Sequence, residues 1–133
     1  MRFMMLMYPG SKAEEGVMPT LDEITKMREF NKEMGDAGIL ISLDGLHPTS
    51  KGTRVTFPGG KAKITDGPFT ETKEVLGGYW VIDVNSKEEA VAWAAKCPCS
   101  ESEMIEVRKV YELSDFPQDV QDAAKEWGEN EKG

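Results

Sequence analysis

Asp66 is the polar residue best placed to do chemistry in this chain of 133 residues. A carboxylate standing before Gly67-Pro68 could project from a strand end as a general base or a ligand anchor. The same residues also suit a turn in which Asp bonds its own backbone N–H groups and holds a Gly-Pro bend. After Phe69 comes a polar run, Thr70, Glu71, Thr72, Lys73 and Glu74. Thr70, Glu71, Thr72 and Lys73 form a candidate ligand-binding set. Lys73 could clamp a ligand carboxylate, and the threonine hydroxyls could orient it. A solvated helical turn is the plainer reading of the same run. His47 is the only histidine. Its ordinary pKa of about 6.5 suits a proton carrier if it points into a cleft, and an ordinary surface residue if it does not.

Cys97 and Cys99 flank Pro98. Zinc takes about four ligands, and one His with two adjacent Cys is too few. The segment could bind a soft metal or react as a thiol, but a small core residue at a helix end is the better reading of Cys97. The pair is too close in sequence for an easy structural disulfide, and two cysteines make no secreted-type framework. A reducing cytoplasm is the default. No phosphate-binding loop, dinucleotide fingerprint or nucleophile elbow is present. No metal and no cofactor are expected.

The elements that must hold these residues follow from periodicity. Residues 2–8 alternate Phe3, Met5, Met7 against Met4, Leu6, Tyr8, a strand apolar on both faces. Thr20-x-x-Glu23 is a capping box. Leu21, Ile24, Met27, Phe30, Met34 and Ala37 then mark one helical stripe, which Gly38 stops. A strand over 39–46 ends at His47-Pro48. A hairpin follows, residues 53–57 and 61–65 about Pro58-Gly59-Gly60. Residues 9–19 read as a loop and 70–76 as a short helical turn. Residues 79–84 form another strand, with Trp80, Ile82 and Val84 opposite Tyr79 and Val81. Ser86-x-x-Glu89 caps a second helix whose buried stripe is Ala90, Trp93, Ala94 and Cys97. A half-polar strand over 103–111 suits a sheet edge. Phe116, Val120, Ala123 and Trp127 mark a final amphipathic helix, with Pro117 in its first turn.

Two β-α-β halves and an inserted hairpin predict an α+β, ferredoxin-like layer. The two main helices would cover one sheet face. Met5, Met7, Trp80 and Ile82 are expected to need cover, which the C-terminal helix could give in part and a second subunit packed sheet to sheet in full, since exposing each costs about 1.5–3 kcal/mol. A homodimer is the expected assembly. A single folded chain of this mass should expose about 7,000 Å².

Sixteen basic and 24 acidic residues give a net charge of −8. That disfavours nucleic acid and an anionic membrane surface. From Ser114 onward the net is −4, half of the total. The run 3–8 is too short for a signal-peptide core or a membrane span.

The stretch Asp66-Gly67-Pro68-Phe69-Thr70-Glu71-Thr72-Lys73-Glu74, followed by Leu76-Gly77-Gly78-Tyr79-Trp80-Val81-Ile82, resembles the DGPF branch of the YCII-related protein family. Ala90 to Ala94 with Cys97-Pro98, and Ile105 to Arg108, continue the match. The resemblance covers about residues 2–111. It divides the chain into a domain over 1–112 and an acidic helical extension over 113–133. It implies a ferredoxin-like, dimeric α+β barrel. Some relatives are lyases on small aromatic compounds, and others are accessory domains linked to transcription or sigma-factor systems. The implied function is therefore a small-ligand-binding protein with lyase or isomerase chemistry, or else a non-catalytic accessory module. In the YCII branch a His on the first helix and an Asp near its end are a proposed pair. Here Asp36 stands at the helix end, and Met27 falls where the His would be.

Overall fold

The computed structural model describes residues 1–69 and 74–131, with side chains through Ala124. The strands are β1 (Arg2–Tyr8), β2 (Leu40–Gly45), β3 (Thr53–Thr56), β4 (Lys63–Asp66), β5 (Gly78–Asp83) and β6 (Met104–Lys109). The helices are α1 (Ser11–Glu14), α2 (Leu21–Asp36), α3 (Lys87–Ala95) and α4 (Gln118–Glu131). The main sheet has the order β2-β5-β1-β6, with every neighbouring pair antiparallel. It is an open sheet, and the chain by itself closes no barrel. The hairpin β3-β4 is a separate two-stranded sheet.

Both main helices start as their sequences predict. The Thr20 hydroxyl accepts from the Glu23 N–H at 3.2 Å, and the Ser86 hydroxyl accepts from the Glu89 N–H at 3.1 Å. The return carboxylates differ from an ideal capping box. Glu23 takes its hydrogen bond from the Thr20 hydroxyl, and Glu89 takes one from the Asn85 N–H. At the other end of α2, Gly38 is left-handed at φ 75°. The Gly38 and Ile39 N–H groups then close onto the Gly35 and Met34 carbonyls, a Schellman stop. The segment expected as a loop over 9–19 holds α1, one turn that Pro9-Gly10 disguised as a breaker.

The core lies between the sheet and α2 and α3. Phe3, Met5, Met7, Phe30, Met34, Trp80, Ile82, Val84 and Ala90 are buried in one cluster. Cys97, Trp93 and Ala94 pack against it from the α3 side. Phe30 meets Trp80 edge to face at 5.8 Å, and the Trp80 indole N–H donates to Asn31 Oδ1 at 2.8 Å. A buried indole finds its partner this way without leaving the core.

Two expectations need correction. The stripe on α2 is buried only at Phe30 and Met34, with Met27 half-buried, for Leu21 is 81% and Ile24 41% exposed and Ala37 is exposed at the helix end. Met5, Met7, Trp80 and Ile82 need no second subunit, because the helices of the same chain already bury them. The residues left uncovered are their neighbours along the strands: Met4, Leu6 and Tyr8 on β1, Tyr79 and Val81 on β5, all half-buried.

Candidate functional site

Asp66 ends β4 directly opposite Thr53 on β3. Its carboxylate is exposed and accepts a hydrogen bond from the Thr53 hydroxyl at 2.8 Å. It therefore ties two strands together across the hairpin, and is not the self-bonded turn residue that its neighbours suggest.

The backbone that follows is held at two points. The Gly67 N–H donates to the Gly52 carbonyl at 2.9 Å, and the Phe69 N–H donates to the Thr49 hydroxyl at 3.0 Å. Thr49 in turn donates its hydroxyl to Glu14 on α1, and its N–H reaches the same carboxylate at 3.1 Å. One hydroxyl thus accepts from the Phe69 loop and donates to α1. The fit leaves no room for a side chain at Gly67, where a Cβ would lie 1.7 Å from the Thr49 carbonyl oxygen. Phe69 carries the Arg54 guanidinium 3.7 Å above its ring, a cation–π contact between loop and hairpin.

The same end of the sheet receives β2 and β5. Gly77 donates to the Met7 carbonyl and accepts from the Leu46 N–H, both at 2.8 Å. A Cβ on Gly77 would press on the Pro9 ring at 2.8 Å, and one on Gly78 would meet the Asp44 carbonyl at the same distance. Close chain approach is what Gly77-Gly78 permits. His47 follows directly after this junction, exposed, two residues before Thr49. The loop that carries His47 and the loop that begins at Asp66 are thus joined through Thr49.

Thr70, Glu71, Thr72 and Lys73 lie outside the described residues, as does most of the helical turn expected over 70–76. The run is bounded by the Thr49-held Phe69 and by Val75, which is 3% exposed. Of the other pair considered, Asp36 is exposed and bound to Lys32 at 2.7 Å, and Met27 packs against the core.

One polar pair escaped the sequence reading. Tyr79 and Asp44 face each other across β5 and β2, and the phenol donates to Asp44 Oδ2 at 2.7 Å. That hydrogen bond, with the carboxylate's charge, raises the phenol above its ordinary pKa. Tyr79 shares its strand face with Val81, so the pair marks a polar spot on the uncovered face. Two open surface grooves, of about 780 and 460 Å³, lie elsewhere, along α3 and β6. Neither is lined by Asp66 or His47. Among the described residues, no three His, Cys, Asp or Glu side chains gather as metal ligands. No described helix is long and apolar enough to cross a membrane.

The model of the YCII-related domain matches residues 1–114. The chain belongs to the YCII-related family. An uncharacterized protein from Rhizobium meliloti (strain 1021) is 39% identical over 59 residues, covering 44% of this chain and 48% of that relative. The chain thus spans about half the length of the curated relative it matches.

Proposed function

We propose that this YCII-related chain binds a small organic ligand at the loop cluster around Asp66, and that it works as a homodimer in the cytoplasm. Asp66 is the base or anchor, and Lys73 is the electrostatic clamp. Thr70, Glu71 and Thr72 orient the ligand, and His47 carries a proton where it reaches. Lyase or isomerase chemistry on a compact, aromatic compound is the activity this set would serve.

The observation that carries the reading is the Thr49 bridge. It holds the Phe69 side of the loop, while Gly52 holds the Gly67 N–H, and it draws the His47 loop, the Asp66 loop and α1 together. A surface loop tied down this firmly is a platform for groups that must hold position, since a ligand site gains from rigid support. The proposed dimer packs sheet on sheet, two ferredoxin-like layers forming an α+β barrel. Supporting it, β1 and β5 leave Met4, Leu6, Tyr8, Tyr79 and Val81 half-uncovered on one face.

The test is a thermal-shift screen of small aromatic and aliphatic acids against the full chain. A bound compound should lose its melting-temperature shift in Asp66→Asn and Lys73→Met, while both variants keep the unliganded melting temperature. Should Asp66→Asn melt early and keep the ligand shift, the carboxylate serves only as the tie to Thr53. A library without a hit would favour the accessory-module alternative.

A further inference from the structure

Cys97 and Cys99 stand apart from the loop cluster. Cys97 follows α3, its N–H donating to the Ala94 carbonyl at 3.1 Å, and its side chain packs against the core. Cys99 is exposed. Between them the chain makes a tight turn, for the Cys99 N–H donates to the Cys97 carbonyl at 2.8 Å. Pro98 at its centre suits that turn, since its ring holds φ near the value of about −75° that an inverse γ-turn requires. Both cysteines line the groove of about 460 Å³ between α3 and β6, beside Glu103.

We infer that Cys97-Pro98-Cys99 is a peroxide-sensitive dithiol, in which Cys99 is the attacking thiol and Cys97 the resolving one. Position divides the roles. Cys99 is the sulfur a solute meets first, and Cys97 is anchored beneath it. The two thiols also govern each other's protons. Cys97 is pushed above its ordinary range, chiefly by its hydrogen bond to Cys99, then by burial and the negative charges of Cys99 and Glu103. The same hydrogen bond draws Cys99 below its ordinary range, against burial and Glu103. A thiolate is the nucleophile, so the exposed sulfur is the reactive one.

The chemistry closes without a metal. The Cys99 thiolate attacks the terminal, hydrogen-bearing oxygen of a hydroperoxide. An S–O bond forms, the O–O bond breaks, and the leaving oxygen takes a proton from water. Sulfur is oxidised by two electrons and the peroxide is reduced by two. The Cys97 sulfur then attacks the Cys99 sulfenic acid. The S–S bond forms, the S–O bond breaks, and the departing hydroxide leaves as water with the Cys97 proton. Loss of the thiolate charge at Cys99 is what frees that proton.

Hydrogen peroxide on the full reduced chain, read by peptide mass, is the test. Lys96 and Arg108 bound a tryptic peptide, residues 97–108, that holds both cysteines. Expected is a loss of two hydrogens from that peptide, reversed by a reductant. Oxidation of Met104 in the same peptide adds oxygen and cannot imitate it. In Cys97→Ser the sulfenic acid at Cys99 should persist and be trapped by dimedone. Before oxidation, iodoacetamide should label Cys99 about tenfold faster than Cys97. A peptide that keeps both thiols, a disulfide formed only between chains, or faster labelling of Cys97 overturns the assignment. The wild-type peptide decides even if Cys97→Ser does not fold.

Discussion

A methyl group on Gly67 would lie 1.7 Å from the Thr49 carbonyl oxygen, so Gly67→Ala must push the Asp66 loop off its support. Overpacking of this kind costs about 1–3 kcal/mol. Gly35→Ala should do the reverse and stabilise by about 0.5 kcal/mol, because it adds a methyl group in a helix with nothing within 4 Å. Urea midpoints of the two variants, on opposite sides of the wild type, check both. The Tyr79 phenol makes a second residue-scale prediction. Its raised pKa means that its hydrogen bond to Asp44 stabilises the fold below the ordinary phenol range and is lost as pH rises through the folded value. Ultraviolet titration should show the phenol ionising late, and Asp44→Asn should bring the transition down. The DGPF stretch was legible in the sequence. The partners were not, because Thr49 and Glu14 are 35 residues apart, and so are Tyr79 and Asp44. The latter pair also depends on an irregularity in β2 between Leu40 and Ser42, which shifts the register and decides which residues share a face.

Elements are legible where their signals are local. The caps at Thr20 and Ser86, the stop at Gly38 and the hairpin about Pro58-Gly59-Gly60 are written within a few residues, and each element formed where it was expected. How far a stripe is covered depends on distant chain, so the exposure of Leu21 and Ile24 could not be read from α2 itself. The segment before α4 shows the same dependence. Lys109 binds Asp115 at 2.7 Å, Arg2 reaches Glu112 at 3.4 Å, and Tyr111 stacks on Phe116 at 4.9 Å. These contacts hold residues 111–116 to the end of the sheet. Removing residues 117–133 should therefore leave the circular-dichroism spectrum of the sheet intact, while a cut before Tyr111 should lower the melting temperature. Acid should release the same segment. The Arg2 hydrogen bond first, and Lys109's charge last, hold Glu112 below its ordinary pKa; the Glu112 N–H first, then Lys109, do so for Asp115. Their contribution is complete above the ordinary carboxylate range and disappears as pH falls through the lowered values. Urea midpoints followed down in pH should fall less steeply in an Arg2→Met, Lys109→Met double variant than in the wild type.

At the scale of the whole molecule, alternation along β1 fixes two faces but does not say which face the helices take. That choice depends on how α2 and α3 cross the sheet, and it decides which residues a second subunit would meet. Met5 and Leu6 are adjacent in sequence and sit on opposite sides, so the same strand supplies two contrasting experiments. Met5 is fully buried under the helices, and Met5→Ala should cost about 2–5 kcal/mol in urea unfolding. Leu6 is half-buried on the uncovered face, where a lysine side chain can reach water in an isolated chain but not between two packed sheets. Leu6→Lys should therefore keep the fold and its circular-dichroism spectrum while converting the proposed dimer to a monomer in sedimentation at micromolar concentration. The wild type should sediment at twice 14.8 kDa. If the wild type already sediments as a single chain, Met4, Leu6, Tyr8 and Val81 are tolerated in water and the face-to-face assembly fails. If instead Leu6→Lys stays dimeric, the two copies meet elsewhere, and the edge strands β2 and β6, whose outer backbone groups have no neighbour in the sheet, become the surfaces to vary next.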